Sequence, residues 1–239
     1  MVIIINFCFT LQYKVLYMEQ NQEPIQQLTA IRNLMERSSR FISLSGLSGV
    51  SAGVIALLGT LMAFFYLGKE EPFFNIGSYT LLPAQKINQS MWFLLIDAVV
   101  VLVLALLSGI YFTTRKARKE GQKVWDHIAR RMVINLLIPL MTGGLFCIIL
   151  LYHRLFLLLA PATLIFYGLA LLNASKYTYH EIRVLGLIEI LLGLLAGWLT
   201  GYGLLFWAMG FGVMHIFYGM MMYFRHEDVK EEECKVNSE

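Results

Sequence analysis

Three ionisable residues stand inside long apolar stretches of this chain: Asp97, Glu189 and His215. A titratable side chain at membrane depth is expensive, so each is a candidate for proton handling or for a structural hydrogen bond. Glu189 lies five residues after Val184, about 7.5 Å into its stretch at 1.5 Å per residue. Tyr218 is six residues from Phe224, about 9 Å in, and His215 is one helical turn deeper. Positions 215 and 218 share a helix face. Gly186, Gly193 and Gly197 form a stripe near Glu189 that turns its carboxyl towards protein. A Glu189–His215–Tyr218 cluster is therefore geometrically possible. A carboxyl and an imidazole that exchange a proton are the minimum equipment for proton coupling. The plainer reading is a buried hydrogen bond that holds two helices together. Asp97 is a secondary candidate, and near the interface it reads first as a hydrogen-bonded structural residue.

Other chemistries lack their residues. A haem between facing helices needs two membrane histidines, and only His215 is deep enough, since His153 and His180 fall on opposite rims. The sequence holds no HExxH, GxSxG or GxxxxGK[ST]. His180 and Glu181 with His226 make a weak metal site, because histidines in connections are usually solvated. Cys8, Cys147 and Cys234 are far apart and form no CxxC pair. No catalytic set, metal site or cofactor site is expected.

The elements that must position the polar residues are helices in a bilayer. Hydrophobic residues make up 58% of the chain and charged ones 15%, with a mean hydropathy of +0.64. Six stretches approach the roughly 20 apolar residues that cross a bilayer: 41–67, 91–113, 133–152, 155–173, 184–199 and 203–224. None alternates with the period of two of a membrane barrel, so the fold class is an all-α integral membrane protein of six transmembrane helices. Ile165-Phe166-Tyr167-Gly168 recurs as Ile216-Phe217-Tyr218-Gly219, 51 residues on. The same offset aligns Leu136 with Leu187 and Leu140 with Leu191, which suggests a duplicated helical hairpin, 133–173 and 184–224. In that alignment Ile138 and Leu164 occupy the places of Glu189 and His215.

Small residues mark where helices approach closely. Ser45, Gly49 and Gly53 form one row in the first stretch, and Gly193, Gly197 and Gly201 another in the fifth. In lipid such faces drive helix packing, within one bundle or between copies.

The flanks divide the chain. Residues 1–17 are too short to span and read as a start-site artefact before Met18 or as an interfacial segment. Residues 18–40 read as a cytosolic amphipathic helix, with Ile25, Leu28, Ile31 and Met35 on one face. A second interfacial helix is expected within 115–131, with Trp125 at headgroup level. The domain proper is 41–224, and 225–239 is an acidic tail. After Met18, only Lys69, Lys86 and Arg154 fall on the side opposite the amino terminus. The positive-inside rule then puts both termini in the cytosol. The basic rim reads as a topology signal and a contact with anionic lipid, not as a nucleic-acid site.

The stretch 160–183, APATLIFYGLALLNASKYTYHEIR, and RNLMERSSRFISLS within 27–45 resemble a family of small multi-pass bacterial inner-membrane proteins. The likeness covers most of the chain from Met18. That family has no assigned reaction, substrate or cofactor, so the resemblance implies the topology and a bacterial cytoplasmic membrane, and no residue role.

Two functions fit. The first is a non-catalytic interaction or regulatory protein, with the bilayer and a second copy or a cytosolic protein as partners. The alternative is a small transporter or proton-coupled carrier that uses Glu189 and His215. Pro139 and Pro161 within the stretches favour the alternative, because broken helices are common in transporters.

Overall fold

Apolar runs of this length satisfy their backbone hydrogen bonds within helices, and the described chain is all-helical. The computed structural model describes residues 45–68, 84–119, 121 and 125–225. The expectations for 1–40, for the acidic tail and for most of the first connection lie outside the described residues. The helices are α1 (Gly46–Gly68), α2 (Ala84–Lys119), α3 (His127–Tyr152), α4 (Leu159–Ala174) and α5 (His180–Trp198). A last helical run joins α6 (Gly203–Trp207), a π segment (Ala208–Met214) and α7 (His215–Tyr223). No strand occurs among the described residues.

Five stretches are long and apolar enough to cross a membrane: Gly46–Leu67, Gln89–Lys119, His127–Tyr152, Phe156–Tyr177 and Thr200–Tyr223. The protein is thus an all-α membrane protein. Helix α5, which corresponds to the fifth of the six expected stretches, is not among these five. It carries Glu181, Arg183 and Glu189 within 19 residues.

Several boundaries differ from the sequence reading for clear reasons. Helix α2 runs on through Arg115 to Lys119, and α3 begins at His127 with Asp126 as its cap, accepting from the His127 N–H at 2.6 Å. The basic stretch thus extends two long helices, and no separate interfacial helix stands between them among the described residues. Trp125 is exposed, in keeping with an interfacial position. Helix α3 ends in a Schellman arrangement: Arg154 N–H donates to Leu151 O at 3.1 Å and Leu155 N–H to Leu150 O at 2.9 Å. Arg154 takes the left-handed position, φ 58°, that glycine usually fills. Pro161 is the third residue of α4, where its missing N–H breaks no hydrogen bond. Among the described residues only Pro139 lies within a helix interior.

Helix α1 packs between α2 and the last run, while α4 packs between α3 and α5. The last run also meets α5 and so joins the two groups. Polar links between helices include Ser51 Oγ donating to Ser108 Oγ at 3.2 Å between α1 and α2, and Asn173 Nδ2 to Asn135 O at 3.3 Å between α4 and α3. Glycines mark several of the closest helix approaches. A Cβ at Gly53 would stand 2.7 Å from Gly212 O, and one at Gly49 would stand 3.1 Å from Gly219 Cα. Ser45, just ahead of α1, is buried too. This row therefore packs within the bundle. In α5, a Cβ at Gly193 would stand 2.7 Å from Ile165 Cγ1, whereas Gly197 has room, its nearest neighbour being Pro161 Cβ at 3.8 Å. Gly201 is not on that stripe: α5 ends at Trp198, and Gly201 sits in the following 3-10 turn, Thr200–Tyr202.

The recurring tetrapeptide has a physical role in both places. A Cβ at Gly168 would stand 2.6 Å from Gly186 O of α5, and one at Gly219 would stand 2.5 Å from Val50 N of α1. Each glycine marks a backbone-to-backbone crossing, and each preceding tyrosine is turned into the protein.

Candidate functional site

Glu189 is the middle residue of α5, nine residues from His180, which is about 13.5 Å along the axis. It is deeper than the hydropathy boundary at Val184 implied, because α5 begins four residues earlier. Glu189 is 0% exposed, and with Leu164 it is the largest fully buried side chain among the described residues. The close crossing of Gly168 and Gly186 places it there, since Gly186 lies one turn before Glu189 and draws α5 against α4. Opposite stands Gly210, where an added Cβ would collide with Glu189 Oε2 and with Leu164 Cδ2. The carboxyl occupies the space that a side chain at 210 would take.

His215 opens α7 immediately after the π segment. A π segment adds a residue to the turn and commonly marks a functional position. Gly210 lies five residues before His215, and the imidazole folds back on it, with Nδ1 2.9 Å from Gly210 O. A carbonyl only accepts, so Nδ1 carries a hydrogen. Nε2 lies 2.8 Å from the Tyr167 hydroxyl of α4. That hydroxyl serves either state, donating to a neutral ring and accepting from an imidazolium.

Glu189 Oε1 lies 3.4 Å from His215 Nδ1. This is beyond ordinary hydrogen-bond length, and the Nδ1 hydrogen already points to Gly210 O. The contact is one of charge. Neither carboxyl oxygen has a hydrogen-bond partner among the described residues, although both are buried. An isolated buried charge is strongly disfavoured. The pair avoids one by holding a single proton: a carboxylic acid beside a neutral ring, or a carboxylate beside an imidazolium. Nδ1 carries its hydrogen in both states, so the titrating proton sits on the Glu189 carboxyl or on His215 Nε2, which faces the Tyr167 hydroxyl, and the geometry offers these two protonation states rather than a direct transfer from carboxyl to ring.

The structure brings Glu189 and His215 together, as the spacing suggested, but leaves Tyr218 out. Tyr218 packs with Leu171 and Leu185, one turn towards the beginning of α5. The hydroxyl on the histidine belongs to Tyr167. The sequence carried a signal for it, because the tetrapeptide alignment pairs Tyr167 with Tyr218. Asp97 is remote from the pair. Its carboxyl lies beside Gly59 of α1, with Oδ2 3.5 Å from where a Cβ would stand. Rings lead away from the pair, with Tyr167 and Phe211 centroids 4.9 Å apart and Phe211 and Trp207 4.9 Å apart.

On the rim, Arg225 Nη1 pairs with Glu181 Oε1 at 3.1 Å, so Glu181 is engaged with an arginine. No group of three His, Cys, Asp or Glu among the described residues could hold a metal ion. No protein family, curated protein or solved structure matches this chain.

Proposed function

We propose that this is a six-span protein of a bacterial cytoplasmic membrane, both termini cytosolic, with a non-catalytic regulatory role whose input is the protonation of Glu189–His215. One observation carries the reading: a fully buried carboxyl, with no hydrogen bond to either oxygen among the described residues, beside a histidine whose other contacts suit both ring states. Helix α5 is the fifth of the six spans in this reading, its rim charge Glu181 paired with Arg225. The hairpins 133–173 and 184–224 are copies, of which the second carries the pair. Protonation favours whichever conformation binds the proton better. His215 and Arg225 lie on one continuous run, so a shift at the pair reaches the rim that leads into the acidic tail. There a cytosolic protein or a second copy would read it.

Hydrogen exchange of residues 208–225 in nanodiscs, corrected for the intrinsic effect of pH, tests this. Exchange is expected to differ between acid and neutral pH in the wild type and to be equal in Glu189→Gln. Equal exchange in the wild type would remove the proposal.

The alternative, a small proton-coupled carrier, is favoured by one observation: a cavity of about 660 Å³ whose wall includes Trp207, the outermost of the rings leading from His215. Proteoliposomes in which a pH gradient drives cation uptake, with the uptake lost in Glu189→Gln, would replace the regulatory reading.

A further inference from the structure

The cavity of about 660 Å³ lies between the end of α1, the early turns of α2, the connection from α3 to α4, and α6. Its volume falls within the 300–1,000 Å³ of small-molecule sites. The wall is almost wholly apolar, with Leu94, Ala98 and Trp207 among its residues, and its two charged residues are Asp97 and Arg154. Their placements differ. Arg154 sits in the turn after α3 and is exposed, free to extend into solvent. Asp97 sits more than three turns into α2 and is half-buried. No hydrogen bond or ion pair engages its carboxyl among the described residues. The nearby hydroxyls are satisfied elsewhere, Thr60 donating to Ala56 O at 2.8 Å and Thr163 to Ala160 O at 2.9 Å. An apolar chamber with one carboxylate residue in its wall complements a bulky apolar cation.

We propose that this cavity binds lipophilic monocations, with the apolar body against α2 and α6 and the positive centre on Asp97. The proposal uses none of the residues of the Glu189–His215 pair and stands without it. A cation desolvated in such a cavity gains more from a carboxylate than one in water, because the low local dielectric strengthens the attraction. The positive centre can belong to a free organic cation or to an ammonium lipid of the bilayer.

The probe is tetraphenylphosphonium, with tetraphenylborate as its anionic counterpart of the same shape. Titration of the purified protein in phosphatidylglycerol nanodiscs, followed by tryptophan emission and calorimetry, should give saturable binding of the cation at least tenfold tighter than the anion, a difference of about 1.4 kcal/mol. Asp97→Asn, with an unchanged melting temperature, should abolish the preference. Ala98→Phe, which fills the cavity from α2, should remove binding, while Glu189→Gln should retain it. In nanodiscs of equal phosphatidylglycerol content, and so of equal surface charge, weaker binding of the cation when the remaining lipid is phosphatidylethanolamine than when it is uncharged diacylglycerol would assign the natural occupant to the bilayer, and unchanged binding would assign it to a free cation. Tighter binding of the anion, full preference in Asp97→Asn or binding unaffected by Ala98→Phe would overturn the proposal.

Discussion

A single methyl group at Gly168 should open the helix crossing on which the buried pair depends. The Cβ of Gly168→Ala would stand 2.6 Å from Gly186 O, 2.8 Å from Ile190 Cγ1 and 2.9 Å from Ile190 N. Two of these neighbours are backbone atoms and cannot turn aside. Ordinary contact begins near 3.4 Å, so α4 and α5 must separate by roughly 0.8 Å. Overpacking of this kind costs about 1–3 kcal/mol, and a rigid backbone neighbour points to the upper end. At about 2–4 °C per kcal/mol for a chain of this size, the melting temperature in detergent should fall by roughly 4–12 °C. Gly144→Ala in α3 is the matched control. Nothing lies within 4 Å of its added Cβ, and alanine is the better helix former by about 1 kcal/mol. Its melting temperature should hold or rise. If both variants melt like the wild type, or if Gly144→Ala is the more damaged, the α4–α5 crossing is not as close as described and Glu189 loses its shelter.

Three further expectations follow from individual contacts. Tyr167→Phe leaves the buried Nε2 of His215 without its partner and should cost about 1–3 kcal/mol, whereas Tyr218→Phe should change the melting temperature little; the reverse order would reinstate Tyr218 in the cluster. Gly210→Ala puts a Cβ into Glu189 Oε2 and should destabilise by about 1–3 kcal/mol, with less damage when combined with Glu189→Ala; additive losses would show that the two residues do not compete for space. Reporter fusions at Gly121 and at the carboxyl terminus should read cytosolic and one at Asn75 external; a cytosolic Asn75 would contradict the six-span topology.

Hydropathy located the membrane helices well because an apolar run in lipid has few alternatives to a helix. It failed where polar residues belong to a helix. The polar residues His180–Arg183 read as a connection, yet they form the first turn of α5, and that error set Glu189 too shallow and level with Tyr218. Counting from His180 instead sets Glu189 level with His215. The pairing of Glu189 with His215 was legible because ionisable residues at membrane depth are few. Tyr167 is harder to read even within its recurring tetrapeptide, since a tyrosine hydroxyl carries no charge to announce it. The π segment left no pattern that hydropathy could detect. Its trace is Gly210, whose missing side chain is required only once α5 is known to lie opposite. Small-residue rows located the α1 crossing correctly through Gly49 and Gly53. They misplaced Gly201, because spacing along the chain does not show where a helix stops.

The central claim is that Glu189 and His215 share one proton in a site closed to water. Infrared difference spectra of the protein in nanodiscs, titrated from acid to alkaline pH, test it directly in the wild type, Glu189→Gln and His215→Gln. The expected result is a carboxyl band and an imidazole band that change over the same pH range in the wild type. The carboxyl band should be absent in Glu189→Gln, and its titration displaced in His215→Gln. A Glu189 carboxylate that titrates as it does in a solvated peptide, with no change when His215 is replaced, would contradict the claim and place the residue in water.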